Sequence, residues 1–204
     1  MESAGSPPGR GPSVGRGNKM RAAVWAATIT ELTEKGYAAL TVEGVAQRAG
    51  VHKTTIYRNW KTSGQLVADA LTAHFATDVP IPDTGAVEGD LRALARSLVA
   101  TMTTPAGRAL LATVVSDAAR VPALARIKSA LFEDRFRRAE SVVTRAVERG
   151  ELPPQTDPGE LLRTLAAPIY FRLVCTDEPV DGTTADRAVD VTLAAAHAGA
   201  LSAT

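Results

Sequence analysis

The sequence predicts an all-α protein of about nine helices, and three observations carry that prediction. Apolar residues recur at three- and four-residue steps, and no segment alternates apolar and polar residues as a half-buried strand does. Aromatic residues, which favour strands, make up only 4% of the 204 residues, while alanine is abundant. Glycines and prolines fall between the periodic segments, where they punctuate helices.

Residues 1–18 form a basic arm rich in Gly, Pro and Ser, with the composition of a disordered segment and no apolar stretch of a secretory signal. From Lys19 the pattern turns helical, with Trp25, Ile29 and Leu32 on one face and Gly36 as the stop. Thr41 is placed to cap a short second helix that ends at Gly50, although Gly44 stands where a capping box needs Glu or Gln. A third short helix covers 52–60. Leu66, Val67, Ala70, Leu71 and Phe75 stripe a fourth. Two prolines then bar regular helix from 79–85, so 77–86 reads as a linker between a unit at 19–76 and a unit at 87–204. Beyond it, helices are predicted over 87–104, 105–120, 121–150, 159–175 and 183–201. Pro105 stands at a first helical position, and Leu124, Ile127, Leu131, Phe132, Phe136, Ala139, Val143 and Val147 mark the clearest stripe.

The bulk numbers bound the function. Hydrophobic residues at 45% and charged residues at 22% describe a globular chain, and no run of about 18 apolar residues proposes a membrane span. Cys175 stands alone, which excludes an intramolecular disulfide and a cysteine-cluster metal site and fits a reducing cytoplasm; near a helix end it reads as a small buried hydrophobe. His52, His74 and His197 are isolated, and no HExxH, nucleophile elbow, P-loop or Rossmann glycine set occurs. No catalytic residue, metal or cofactor is therefore expected, and an enzyme is not. The net charge of +1 hides a split, +4 over residues 1–75 and −3 over 76–204, which gathers basic charge where a polyanion can be met.

Residues 41–60 carry the most information. A helix-turn-helix needs a small residue where two helices cross, a glycine for the left-handed turn and a branched apolar residue inside the second helix. Ala46, Gly50 and Ile56 occupy those offsets. The solvent side of the second helix then carries His52, Lys53, Thr54, Thr55, Tyr57, Arg58 and Lys61. Lys and Arg suit phosphates, and the hydroxyls suit phosphates or base edges in a major groove about 12 Å wide. The bare offsets fit equally a helix pair in a bundle with a solvated polar face. In the arm, Arg10, Arg16, Lys19 and Arg21 are placed to follow a minor groove or simply to be solvated, and Arg21, adjoining the first helix, is the best placed of the four.

Several linked motifs go further. Gly36-Tyr37, Leu40-Thr41-Val42, Val45-Ala46, Ala49-Gly50-Val51, Lys53, Thr55-Ile56-Tyr57, Trp60 and Leu66 stand in an order and spacing that resemble the DNA-binding domain of the TetR family of bacterial regulators. The resemblance covers about residues 21–71 strongly and the remainder loosely, through the helix layout and the stretch 167–173. It implies that helix 52–60 is the recognition helix, that Lys53, Thr55 and Tyr57 meet the DNA backbone or groove, and that Thr41 opens the supporting helix. His52 stands where a small hydroxyl residue is frequent, and Ser63 where a phosphate-binding lysine is frequent; Lys61 is placed to take over that role.

In the second unit, Leu161, Leu165, Ile169 and Leu173 make one broad apolar face, and Val189, Leu193 and Ala196 make another among small alanines. These are predicted to form a homodimer interface, in the family a four-helix bundle. A twofold dimer sets its recognition helices about 34–36 Å apart, as a pseudo-palindromic double-stranded operator requires. The alternative is that both faces serve the subunit's own core. The family implies a small-molecule effector pocket after the linker, coupled to DNA by the fourth helix. Met102, Val115, Phe132, Phe136, Tyr170 and Phe171 are the candidate lining residues, and Arg135 and Arg172 can orient an anionic ligand or snorkel to solvent. The expected function is a cytoplasmic, DNA-binding transcriptional repressor released by its effector. Two competing readings are a helical ligand-binding or enzymatic bundle whose helix-turn-helix is idle, and a non-specific DNA-coating protein, against which the modest +4 argues.

Overall fold

Caps, glycine stops and prolines place the ends of the helices in the computed structural model, which describes residues 14–75, 80–176 and 178–203. Among these residues the order is α1 (Val14–Lys35), α2 (Val42–Ala49), α3 (Lys53–Asn59), α4 (Ser63–Phe75), α5 (Val87–Met102), α6 (Pro105–Ser116), α7 (Pro122–Glu148), α8 (Pro158–Cys175) and α9 (Gly182–His197). A 3-10 turn at Asp117–Ala119 joins α6 to α7. No strand forms among the described residues; Thr156 and Ser202 make an isolated antiparallel bridge.

The predicted order holds, and the ends shift by small steps except at α1. That helix begins at Val14 rather than Lys19, so residues 14–18 of the supposed arm are helical. Pro12 is the last proline ahead of it, and nothing after Pro12 forbids an N–H ladder. Residues 1–13 and linker residues 76–79 lie outside the described residues. Residues 80–86 are tied down rather than slack: Arg145 donates to the Pro82 carbonyl at 2.5 Å, and the fully buried carboxylate of Asp90 accepts from the Thr84 N–H at 2.6 Å and its hydroxyl at 2.8 Å.

Two apolar cores form, and their boundary is not at the linker. The first gathers Val24 and Leu32 of α1, Val45 and Ala46 of α2, Ile56 and Trp60, and Leu66, Val67 and Leu71 of α4. It also takes in Leu110, Val114, Ala118 and Leu124 from beyond the linker. The second gathers Leu91, Ala95 and Val99 of α5, Val142, Val143 and Ala146 of α7, Leu161, Leu165 and Ile169 of α8, and Ala185, Ala188 and Val189 of α9. Helix α7 therefore threads both, its first turns in one core and its last turns in the other. Helices α5 and α6 meet at a 90° bend.

This packing corrects the predicted dimer face. Leu161, Leu165, Ile169, Val189 and Ala196 are at most 4% exposed in the isolated chain, and Leu173 and Leu193 pack at the edge of the same core. In the single chain they hold the subunit's own core together. Periodicity finds an apolar stripe but not its neighbour, and here α5 and α7 supply that neighbour. The outward side of α8 and α9 carries Phe171, Val174 and Val191, 60%, 46% and 58% exposed. Cys175 is exposed there as well, not buried.

Candidate nucleic-acid interface and ligand cavity

Backbone chemistry sets the recognition helix. The Thr41 hydroxyl caps α2 by accepting the Gly44 N–H at 3.1 Å, and Gly50 ends α2 in the left-handed region at φ +66, where a side chain would be strained. The Gly50 N–H and Val51 N–H return to Gln47 and Ala46 carbonyls, which tightens the turn into α3. Ile56 and Trp60 are buried, and this anchors one side of α3 to α1 and α4. The other side presents Lys53, Thr54, Tyr57 and Arg58 to solvent, with Lys61 just beyond, His52 just before and Thr41 at the neighbouring helix start.

Seven of the predicted DNA-facing residues thus share one exposed surface, and Thr55 is half-buried beside them. Lys53 makes a loose 3.5 Å pair with Glu43, both more than half exposed, so the pair holds little energy and yields readily to phosphate. The His52 ring lies 3.2 Å from the Thr54 hydroxyl at the N-terminus of α3, with neither group buried. Tyr57 keeps 47% of its surface exposed on the same side, which leaves its ring and hydroxyl open to contact.

Arg21 is the exception. Its guanidinium lies 3.5 Å from Asp69 and 5.8 Å from the ring centroids of both Trp25 and Trp60, and Asp69 also accepts the Trp60 indole N–H at 2.8 Å. Arg21 fastens α1 to α4 and to the end of α3, so its charge is already engaged. The sequence also concealed Glu31. This carboxylate, buried on α1, is paired to Lys35 at 2.8 Å and to Arg48 of α2 at 3.1 Å, and Arg48 also pairs with Glu34. The Lys35 hydrogen bond holds its pKa below the usual carboxylate value, against burial, with Arg48 adding to the effect.

A second site lies where the two cores meet. A cavity of about 150 Å3 opens between α4, α5, α7 and α8, lined by Phe75, Leu98, Phe132, Arg135, Phe136 and Tyr170 among others. Phe132, Phe136 and Tyr170 were predicted to line a pocket; their rings stack at 6.4 Å (Phe132 with Phe136) and meet edge-on at 5.4 Å (Phe132 with Tyr170). Burial pushes the Tyr170 phenol up to about 12, with Arg135 opposing, which keeps it a neutral donor. Met102 is not part of the lining; it is buried at the α5–α6 bend, which a sequence stripe does not reveal. Val115 and Phe171 line a separate apolar groove with Val174 and Cys175, on the far side of Phe132 and Tyr170. Arg172 pairs with Glu178 at 3.0 Å, whereas Arg135 faces the cavity with its guanidinium 5.5 Å from the Phe75 ring centroid. Phe75 was missed as a lining residue, although three of the chain's four phenylalanines meet here.

Comparison with known proteins fits this geometry. Residues 25–70 match the bacterial regulatory proteins of the tetR family, and residues 81–192 match the tetracyclin repressor-like C-terminal domain. The chain belongs to the TetR family. It is 38% identical over 167 residues to the HTH-type transcriptional regulator AqdR of Rhodococcus erythropolis, covering 80% of each chain. It is 30% identical over 186 residues to the DNA-binding transcriptional repressor TetR of Mycobacteroides abscessus, covering 87% of this chain and 93% of that one. Among solved structures, the TetR family transcription regulator SCO0332 superposes with a TM-score of 0.68 at 34% identity, over 86% of this chain and 97% of that one. MexZ of Pseudomonas aeruginosa shares the fold at a TM-score of 0.68 and 20% identity, over 92% of this chain and 100% of that one. This TetR-family chain is a DNA-binding transcriptional regulator, and its family points to regulation rather than enzymatic turnover. Among the described residues no single helix is long and apolar enough to cross a membrane.

Proposed function

We propose that two copies of this chain join through the outward face of α8 and α9 and repress transcription from a pseudo-palindromic operator in the bacterial cytoplasm. Each α3 lies in one of two successive major grooves, with Lys53, Arg58 and Lys61 on phosphates and Thr54, Tyr57 and His52 near the groove floor. Thr41 adds the positive end of α2 beside a phosphate. A small-molecule effector in the cavity between α4 and α8 favours a dimer whose α3 spacing no longer fits the groove, and it acts only through its differential affinity for the two states.

The observation that carries this reading is where the exposed large apolar side chains lie. Among the described residues they are Tyr57, on the recognition helix, and Phe171, Val174 and Val191, on α8 and α9. The M. abscessus relative is a repressor by name, which supports repression here. Ligand response is in keeping with a structural neighbour that shares the fold at 22% identity, the flavonoid-responsive regulator FrrA.

Fluorescence anisotropy of the protein on the duplex upstream of its own gene, against scrambled duplex and across a salt series, tests the proposal. Operator binding about a thousandfold tighter than scrambled binding at physiological salt is the expected result. Lys53→Ala weakens binding to both duplexes and lowers the salt slope by about 0.9 per lost phosphate contact, while Tyr57→Ala weakens operator binding more than scrambled binding. Failure to bind any site in a genome-wide selection would sink the repressor reading.

A further inference from the structure

We propose that the cavity between α4, α5, α7 and α8 takes a small aromatic anion, such as an aromatic carboxylate, with its ring among Phe75, Phe132 and Phe136 and its charge on Arg135. This rests on the effector reading above and names the chemical class it leaves open.

Aromatic side chains are scarce in this chain, at 4% of residues, yet three of its four phenylalanines and one of its three tyrosines line this one cavity. Phe132 stacks on Phe136 and meets Tyr170 edge-on, which leaves faces and edges for a further ring to join by the same quadrupolar geometry. The size agrees, since a volume of about 150 Å3 accommodates a benzene-sized ring.

The charge is settled by which lining groups are already engaged. Asp134 is paired to Arg137 and, at 2.7 Å, to Arg138, so the acidic group of the lining is balanced before any ligand arrives. Arg135 has no ion pair among the described residues. Its guanidinium rests over the Phe75 ring, 5.5 Å from the centroid, a weaker partner than a carboxylate held by two parallel N–H bonds. The Tyr170 phenol stays neutral and, with the Ser97 and Thr101 hydroxyls on the lining, supplies donors that suit an anion's second oxygen. Among the described lining residues a cationic ligand finds no uncommitted carboxylate.

The same contact links ligand to DNA. Phe75 is the last residue of α4, the helix that carries Trp60's partner Asp69 and packs the core under α3. A carboxylate that draws Arg135 off Phe75 removes a tie between α7 and the end of α4. Arg135 is thus both the group that selects an anion and the group that reports its arrival.

Isothermal titration of the DNA-free protein with benzoate, its neutral analogue benzamide and the cation benzylammonium tests this directly. Benzoate is expected to bind at least about tenfold more tightly than benzamide, the value of one charged hydrogen-bonded pair. Arg135→Gln removes that preference while benzamide affinity and melting temperature hold. Arg172→Gln, a cation outside the cavity already paired to Glu178, leaves the preference intact. Equal or tighter binding of the amide or the amine, a charge preference that survives Arg135→Gln, or no binding of any of the three would overturn the proposal. Operator binding, measured separately by anisotropy, keeps the outcomes apart. Specific DNA binding without a charge preference ends this inference alone, and a charge preference without DNA binding ends the repressor reading alone.

Discussion

Glu31 ties the stability of the DNA-binding unit to pH. A carboxylate 2% exposed costs several kcal/mol to bury, and only the two cations facing it, Lys35 from its own helix and Arg48 from α2, make it tolerable. Because its pKa in the folded chain is lowered, chiefly by the Lys35 hydrogen bond, the folded state binds its proton less readily than the unfolded state does. Its stabilising contribution is complete above the ordinary carboxylate value and is lost as pH falls through the lowered one. Glu31→Gln is expected to cost about 1 to 2 kcal/mol at neutral pH, where it removes the charged hydrogen bonds from the partly exposed Lys35 and Arg48, and far less once the wild-type carboxyl is itself protonated. Urea unfolding of both proteins from neutral pH down to pH about 3 checks this; a penalty that stayed constant across the range would mean that packing, not charge, sets the role of Glu31.

Two helices begin with the same local device and use it for different ends. In α2 and in α6 a threonine N-cap accepts the N–H of a glycine three residues on, Thr41 from Gly44 and Thr104 from Gly107. A Cβ on Gly44 would stand 2.8 Å from the Glu31 carboxylate, so the glycine that spoils a capping box is what lets α2 approach the buried charge. A Cβ on Gly107 would stand 2.1 Å from the Thr101 carbonyl oxygen, so this glycine closes the 90° bend between α5 and α6. Gly107→Ala therefore forces backbone apart and is expected to lower stability by more than about 3 kcal/mol, beyond the rescue of any side-chain trimming. Gly64, in the first turn of α4, makes the contrast: its Cβ would crowd the Val121 methyl at 2.9 Å and otherwise make ordinary contact with the Tyr37 hydroxyl at 3.5 Å. There Gly64→Ala costs about 1–2 kcal/mol, and most of that cost is absent when the change is made in the Val121→Ala background. Thermal unfolding of the two singles and the double closes that cycle; additive losses would show that the α4–α7 contact is not as tight as it stands. These elements mark what the sequence made legible. Periodicity, Thr41, Gly50 and the prolines were enough for the helix order and for the exposed face of α3. Partners distant in sequence were hidden: Arg21 with Asp69, Arg135 with Phe75, and the α5 and α7 surfaces that claim Leu161 and Ile169. Each is decided by which helix lies opposite, and a stripe of 3.6 residues per turn does not encode that.

At the scale of the molecule, α7 is the bridge. Its 27 residues span about 40 Å, with Leu124 packed under the recognition unit, Phe132 and Phe136 at the cavity, and Val142 and Ala146 in the core that supports α8 and α9. A shift that starts at the cavity thus has a stiff path both to α4 and to the proposed dimer face. The path has consequences only if two recognition helices are held at a fixed spacing, which is the role proposed for the outward face of α8 and α9. Phe171, Val174 and Val191 are 46–60% exposed in the single chain, and their replacement by charge leaves no buried group unpaired. Phe171→Glu is expected to keep its melting temperature at low protein concentration, to sediment as a monomer where the native chain is a dimer, and to lose operator affinity by about a hundredfold or more, because one half-site then binds alone. A Phe171→Glu protein that remained dimeric, in analytical ultracentrifugation at micromolar concentration, would place the twofold axis on another surface and leave the exposure of all three side chains without a partner.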